Sequence, residues 1–406
     1  MSYRLFEVFG IELEYMLVQN INLKITPIVD KLMILKNGSI ISDISNGEIE
    51  WSNELVAHVV ELKTNGPTNN LESLDVLFHE NILEINSLLI AENAKLMPSA
   101  SHPLMNPETE MKLWEHHYSE IYSLYNKIFD CRGHGWSNVQ SMHLNLPFYG
   151  DEEFEKLHAA IRILLPIIPA LSASSPIFDG KSTGFLDSRM EVYKTNQKEI
   201  PEMTGKVIPE QVFSKEDYIK QIFEPINKAI EPFDTDKILD KHFLNSRGAI
   251  ARFDRNAIEI RVIDIQECPK ADIAIAVLII ETLKLLVSEE LVALEDQKKW
   301  HEDDLFPIFN EVIKDAEKTK ISNFEYLNLF DVEKDCSAGD LWQILYQRVS
   351  EEISPKHRRS IEFILSNGSL ATRIQKGISN DYSVENIKSV YSRLVTCLET
   401  NDFYKP

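Results

Sequence analysis

Two glutamates near the start of the chain have the type and the spacing that a metal site requires. Glu12 and Glu14 lie in residues 8–16, a short segment rich in β-branched and aromatic residues. Since alternate side chains of a strand point to the same face, the two carboxylates would lie about 7 Å apart on one face. Burying such a pair is costly unless a cation neutralises it, and carboxylate oxygens suit Mg²⁺. The alternative is a pair on the solvated face of an antiparallel sheet.

Residues 141–147 also alternate between polar and apolar side chains. Ser141, His143 and Asn145 would share one face of this predicted strand, while methionine and leucine residues form the other. An imidazole in a strand is often a hydrogen-bonded structural group. The hydroxyl of Ser141 and the amide of Asn145 on the same face favour a polar surface that binds a ligand.

A third predicted strand covers residues 257–264 and places Glu259 and Arg261 on one face. The planar fork of a guanidinium suits phosphate or carboxylate groups. The alternative is a structural Glu–Arg pair within the sheet. Four arginines occur within fifteen residues of this acidic chain: Arg247, Arg252, Arg255 and Arg261.

The valine-rich part of residues 50–64 predicts a strand that ends at the Asn65-Gly66-Pro67 turn. Glu61 lies inside this apolar run, and Glu54 lies at its start. Without further context, Glu61 would be an exposed strand position. With the three polar faces above, it becomes a fourth candidate for the same sheet surface.

The hydroxyl-rich loop at residues 172–189 ends at Arg189 and is long enough to suggest a function. Gly180-Lys181-Ser182 within it resembles the end of a phosphate-binding P-loop. The motif fails because Ser175 stands where its first glycine is needed and a predicted helix precedes it. Lys181 remains only as a candidate contact for a nucleotide.

Overall charge excludes several classes of partner. The 406 residues carry a formal net charge of −22, whereas nucleic-acid binding and docking on anionic membranes both depend on lysine and arginine.

The sequence contains no run of eighteen apolar residues, so we expect no membrane-spanning helix. The first residues lack the apolar region of a signal peptide, and the four cysteines form no CxxC pair, so we expect a reduced, cytoplasmic setting.

Several long segments predict helices, and the order of elements predicts an α+β fold. Helical periodicity covers residues 71–95, 106–130 and 152–171, whereas residues 23–45 are typical of mixed strand and loop. From residue 289 onward the chain predicts charged, amphipathic helices. We therefore expect a catalytic core at residues 1–288 and a helical C-terminal region at residues 289–406, packed on that core.

In their order along the chain, several short motifs resemble those of the carboxylate–amine ligases related to type-2 glutamate–cysteine ligase. The resemblance covers about residues 6–264, and no single motif in it is decisive. The motifs are GIELE at residues 10–14, SHP at 101–103, VQSMH at 139–143, ALSASSP at 170–176 with SR at 188–189, and AIEIRVID at 257–264.

This resemblance implies a glutamine-synthetase-like fold, in which a curved antiparallel sheet is flanked by helices. It implies ATP with Mg²⁺ or Mn²⁺, activation of a carboxylate as an acyl phosphate, and attack by an amine. Glutamate and cysteine would be the default substrates, which would place the protein in glutathione biosynthesis. The sequence leaves open another amino acid or amine, a catalytically silent nucleotide-binding homologue, and whether the chain forms a homo-oligomer.

The resemblance also implies roles for individual residues. Arg261 matches an arginine that steadies the transferred phosphoryl group, and Arg189 would contact substrate. Arg252, Arg255 and Lys181 are the candidate contacts for the nucleotide. The candidate metal ligands are Glu12, Glu14, Glu54, Glu61, His143 and Glu259.

Overall fold

A computed structural model describes residues 3–239 and 244–406. Within these residues, an eight-stranded antiparallel sheet forms the centre of the molecule. Its strands are β1 (Gly10–Gln19), β2 (Asp43–Asn46), β3 (Ile49–Asn53), β4 (Val59–Thr64), β5 (Ala94–Met97), β6 (Ser141–Pro147), β7 (Ala249–Arg252) and β8 (Ala257–Asp264).

The longest strand, β1, lies in the middle of this sheet. The order across the sheet is β2-β3-β4-β1-β6-β8-β7, and β5 pairs with the second half of β1. Strands that are far apart in sequence therefore become direct neighbours: β1 pairs with β4 on one side and with β6 on the other. The predicted polar strands consequently form one continuous surface.

Helices surround the sheet and continue to the C-terminus. They are α1 (Val29–Asn37), α2 (Leu74–Leu88), α3 (Pro107–Glu110), α4 (Ser119–Phe129), α5 (His134–Ser137), α6 (Gly150–Leu164), α7 (Pro169–Ser172), α8 (Ser188–Tyr193), α9 (Lys215–Tyr218), α10 (Glu224–Ile230), α11 (Pro269–Val287), α12 (Leu294–Lys298), α13 (Glu302–Asp315), α14 (Phe324–Asn328), α15 (Ala338–Val349), α16 (Pro355–Asn367), α17 (Leu370–Ile378) and α18 (Val384–Thr400).

The alternating pattern of β1 decides which of its faces is buried in the main core. Ile11, Leu13 and Tyr15 are fully buried on one face and belong to the same apolar cluster as residues of α2, α6 and α11. Burial of each such side chain contributes about 1.5–3 kcal/mol, so this face fixes the orientation of the strand. The glutamates of β1 must then point to the opposite face.

The second half of that opposite face is apolar and is covered by the end of the chain. Met16 and Val18 are fully buried in a cluster that includes Ile374 of α17 and Tyr391 of α18. The two C-terminal helices thus close one end of the surface that begins with Glu12 and Glu14. The boundary at residue 288 stays a prediction, although the main core includes residues from both sides of it.

The structure confirms the predicted α+β fold with an antiparallel sheet, flanking helices and a helical C-terminal region. Two segments differ from the prediction. Residues 23–45 contain helix α1, and Asn37-Gly38 ends it, with Gly38 in the left-handed region at φ 80°. The predicted helix at 106–130 is interrupted after α3, because residues 112–114 pair with the backbone at Leu55–Ala57 instead.

The predicted helix at residues 71–95 is shorter in the structure and is followed by β5. Asn93 turns the chain in the left-handed region at φ 56°, and Ala94 then enters the sheet. Over the described residues, no helix is both long and apolar enough to cross a membrane.

Candidate active site

Glu12 and His143 are direct cross-strand neighbours at the centre of the polar face. His143 Nδ1 lies 2.8 Å from Glu12 Oε2, and Asn145 donates a hydrogen bond of 3.0 Å to the other carboxylate oxygen. Because β1 and β6 fix both backbones, this contact is set by the sheet register and not by a flexible loop. The polar faces predicted for the two strands therefore meet.

Glu259 completes a three-residue cluster from the next strand, β8, where it pairs with Asn145. Its Oε1 lies 3.7 Å from His143 Nδ1. One ligand atom from each of Glu12, His143 and Glu259 lies within 4.8 Å of the others. Carboxylates and one imidazole at this separation form a donor set for a divalent cation.

The electrostatics of this cluster favour charged side chains. Burial raises the pKa of Glu12, but the hydrogen bond and the charge of His143 outweigh it and bring that pKa down to about 2. Burial lowers the pKa of His143, whereas its hydrogen bond to Glu12 raises it, with a net value of about 9. Without a metal, the imidazole is therefore a cation that pairs with Glu12.

Further carboxylates face one another on the β4 side of β1. Glu14 and Glu61 are direct cross-strand neighbours. Burial and the charge of Glu12 raise the pKa of Glu61 to about 7, while burial and the charges of Glu14 and Glu61 raise that of Glu54 well above its usual value. Like charges held together in this way require protons or a cation.

Residues from these strands fit a divalent metal by their chemistry. The set combines carboxylates with one imidazole, and it places mutually repelling acids in a buried position. Mg²⁺ and Mn²⁺ prefer such hard oxygen ligands and keep part of their shell for water or phosphate.

Arg261 reaches the same cluster because strand alternation places it on the face of Glu259, and β8 contains a bulge at this position. Ile260 pairs with Leu144, but Ile263 pairs with Met142, so β8 has one residue more than β6 between these positions. Arg261 lies at this irregularity, with its Nε 2.8 Å from Glu259 Oε1 in an ion pair whose angle does not make a hydrogen bond. Bulges of this kind commonly aim a side chain at an active site.

Arg189 is held in place from the other end of β8. It is the second residue of helix α8, whose N-terminus is capped by Asp187. Its Nε donates to the fully buried Asp264, and its terminal nitrogens lie 3.2 and 3.3 Å from the backbone oxygen of Arg261. The guanidinium is 3% exposed and yet lines the cavity described below, so it presents a fixed positive charge to whatever binds there.

The candidate nucleotide contacts occupy different places. Arg252 lies 3.4 Å from Glu259, and Arg255 is largely exposed and lies 3.7 Å from Asp254; both arginines line the cavity. Lys181 does not: it lies exposed on the hairpin formed by Ile177–Phe178 and Lys181–Ser182. That hairpin packs on the loop at Pro103, so the structure does not bring Lys181 to the other candidates.

A cavity of about 930 Å³ lies over the polar face and includes every candidate except Lys181. Its walls contain functional candidates that we did not identify from the sequence. Lys63 shares the face of Glu61 by simple alternation, and Tyr193 shares a side of α8 with Arg189 four residues earlier. Four aromatic residues also line the cavity: Tyr118, Tyr122, Tyr125 and Trp136.

Solved structures share this architecture. Glutamate–cysteine ligase from Francisella tularensis, solved in complex with AMP, is 13% identical, with a TM-score of 0.61 over 97% of this chain and 90% of that chain. A bifunctional glutathione synthetase from Pasteurella multocida is 14% identical, with a TM-score of 0.57 over 98% of this chain. This chain spans about half of the latter protein, at 52%. At such identities, the likeness shows the fold.

Sequence similarity to other proteins extends over nearly the whole chain. An uncharacterized protein of Archaeoglobus fulgidus is 30% identical over 391 residues, which cover 94% of this chain and 96% of that protein. The family model for glutamate–cysteine ligase family 2 matches residues 8–371, which include every candidate site residue. The chain therefore belongs to glutamate–cysteine ligase family 2.

Proposed function

We propose that the protein is an ATP-dependent carboxylate–amine ligase that forms an amide bond through an acyl phosphate. The observation that carries this proposal is the meeting of Glu12, His143 and Glu259 beside Arg261 on three adjacent strands. Metal ligands next to a fixed guanidinium are the usual equipment for phosphoryl transfer. Family membership supports the same reaction class.

Divalent Mg²⁺ or Mn²⁺ would be held by Glu12, His143 and Glu259, with Glu14, Glu54 and Glu61 as further ligands. When bound, the metal would neutralise phosphate charge and hold the reacting phosphoryl group in place. Two arginines would make the remaining contacts with the reacting groups. Arg261 faces the transferred group, and Arg189 contacts the substrate carboxylate.

Arg252 and Arg255 are proposed to contact the phosphates of ATP from the β7–β8 end of the cavity, because both line it there. Lys181 lies outside the cavity, so we do not propose it as a contact for the nucleotide. The guanidinium groups are suited to this task because they stay protonated at any physiological pH.

The reaction would proceed in two displacements. An oxygen of the substrate carboxylate attacks the terminal phosphorus of ATP, and ADP leaves. The amine nitrogen then attacks the carbonyl carbon of the acyl phosphate, inorganic phosphate leaves with the C–O bonding electrons, and the nitrogen loses a proton. Arg189, fixed by Asp264, would orient the carboxylate for the first attack.

Glutamate and cysteine are the default substrate pair. The aromatic residues that line the cavity favour a second candidate function, a ligase for a larger or more apolar amine, because Tyr122, Tyr125 and Trp136 offer more contact area than a cysteine side chain would cover.

All four cysteines of the chain are free thiols, which is compatible with the proposed cytoplasmic setting.

Release of ADP from ATP and Mg²⁺ should be measured with amino acids and amines added singly and in pairs. Release that depends on glutamate plus one amine would establish the ligase and identify its acceptor. Release with a different pair would keep the mechanism and change the substrate. ATP binding without release in any combination would point to a catalytically silent homologue and contradict the proposal.

A further inference from the structure

The proposed function gives no role to Lys63, which lies within the acidic surface. It lies on β4, as the direct cross-strand neighbour of Glu12 on one side and Glu50 on the other. Strand alternation therefore places a lysine in the middle of the carboxylates. Its side chain is 26% exposed and lines the cavity.

Four oxygens from three strands surround the ammonium group of Lys63. Its Nζ lies 3.1 Å from Ser52 Oγ, 3.2 Å from Glu61 Oε2 and 3.3 Å from Asp43 Oδ1. The fourth oxygen, Glu50 Oε1, is 3.4 Å away. Three carboxylates converging on one point is the arrangement that a divalent ion would otherwise neutralise.

Glu61 shows how this outer group connects to the inner one. Its Oε2 accepts a hydrogen bond of 2.6 Å from Ser52 and is the oxygen that faces Lys63. Its backbone pairs with that of Glu14, which faces the inner cluster. Glu61 thus stands between a lysine on one side and the proposed metal ligands on the other.

We propose that Lys63 is a built-in cation that takes the place of a divalent ion among Asp43, Glu50 and Oε2 of Glu61, so that metal binds only on the inner side of Glu61, at the ligands proposed above. The ammonium is covalently attached and has no dissociation step, so a metal cannot displace it without leaving a buried charge unpaired. This outer end of the site therefore keeps one positive charge among its carboxylates when the metal and ATP leave. The inference rests on the proposed function only for the inner metal.

The position of the ammonium supports this role. Its Nζ lies at ion-pair distances of 3.1–3.4 Å from all four oxygens, so it occupies the point on which the three carboxylates converge. Asp43 and Glu50 are partly exposed, so water can complete a metal shell once the lysine is removed. Shortening Lys63 to an uncharged side chain should consequently turn the outer carboxylates into a metal site.

The test is the number of Mn²⁺ ions bound per chain, measured by equilibrium dialysis and electron paramagnetic resonance without nucleotide. Lys63→Met should bind one ion more than the wild type. Lys63→Arg keeps the charge and should bind the wild-type number. Lys63→Met combined with Glu50→Gln should lose the additional ion, because one of its carboxylates is gone. Folding of each variant is checked by circular dichroism in the presence of Mn²⁺.

Equal numbers of ions in the wild type and Lys63→Met would overturn the role of Lys63 and leave the inner metal site intact. Failure of the wild type to bind Mn²⁺ would instead contradict the proposed inner site. If Lys63→Met folds only with Mn²⁺, Lys63→Gln provides a second uncharged variant with a shorter side chain. An additional ion in Lys63→Gln would support the proposal, and its absence in both variants would reject it.

Discussion

Arg261 and Asp264 point to the same side of β8 although they are three residues apart. A regular strand would put them on opposite faces, but the bulge between Ile260 and Ile263 shifts the alternation by one residue. Arg189 joins the two, donating to the Asp264 carboxylate and to the backbone oxygen of Arg261. One irregularity of the strand thus holds two arginines against the cavity.

Asp264→Asn should destabilise the protein and impair catalysis. Asp264 is fully buried, and the change leaves the Arg189 guanidinium without its counter-charge, which costs about 3–5 kcal/mol for a buried pair. Denaturant unfolding measures this loss. Asp331→Asn removes the partner of Arg348 at a 2.8 Å surface ion pair and should cost less than about 1 kcal/mol. Equal losses in both variants would contradict the role of Asp264.

Glu12→Gln and Glu259→Gln should each reduce turnover at least about 100-fold while the protein stays folded. Each change keeps the shape of the side chain and removes one charged ligand from the cluster around His143. ADP release measures turnover, and circular dichroism verifies the fold. Wild-type activity in both variants would refute the metal site.

Stability without metal should fall as the pH rises from about 6.5 to 9, where the buried His58, His102 and His158, whose pKa values are lowered, are neutral in both the folded and the unfolded state. The folded pKa of Glu61 is raised to about 7, so its contribution is present below about 4.5 and is lost as pH rises through 7. His143, with a folded pKa of about 9, acts in the same direction: its contribution is present below about 6.5 and lost through 9. We expect a loss on the order of 1–3 kcal/mol in denaturant unfolding.

Two controls test the origin of this pH dependence. Glu61→Gln should remove the part of the fall that ends near pH 7, because the amide does not titrate. Saturating Mn²⁺ should restore stability more at pH 8 than at pH 6, since deprotonated ligands bind the ion more tightly. A wild-type curve that rises between pH 6.5 and 9 in the absence of metal would contradict the assignment.

Arg255→Gln and Lys181→Gln distinguish the cavity from the rejected P-loop motif. Arg255 lines the cavity and Lys181 does not. Loss of an exposed charged contact of about 1 kcal/mol should raise the KM for ATP about fivefold in Arg255→Gln. Lys181→Gln should keep the wild-type KM. The reverse result would restore the nucleotide role that the GKS sequence suggested.

Local alternation in the sequence was sufficient to predict the polar faces of β1, β6 and β8, and the amphipathic helices α15, α16 and α18. It could not reveal which strands are neighbours, because pairing of Glu12 with His143 joins residues more than a hundred positions apart. The bulge at Arg261 was equally invisible, since it exists only relative to β6. Helix α1 was missed because its ending at Gly38 also fits a hairpin turn.

Lys63 and Tyr193 show a different limit of predicting site residues from the sequence. Both have the spacing that would have placed them with Glu61 and Arg189, but a single lysine or tyrosine carries little information in a sequence. Only their neighbours in the structure identify them as functional candidates. Three carboxylates surround Lys63, and Tyr193 lines the cavity together with Arg261.

The cover of Met16 and Val18 has a consequence for the synthesis of the protein. The strand that carries Glu12 and Glu14 is made first, whereas α17 and α18 are made roughly 350 residues later, which takes tens of seconds on the ribosome at about 5–20 residues per second. During that interval, the apolar surface of Met16 and Val18 lacks its cover beside the proposed metal ligands. A chain that ends before these two helices would therefore expose apolar surface and be prone to aggregate.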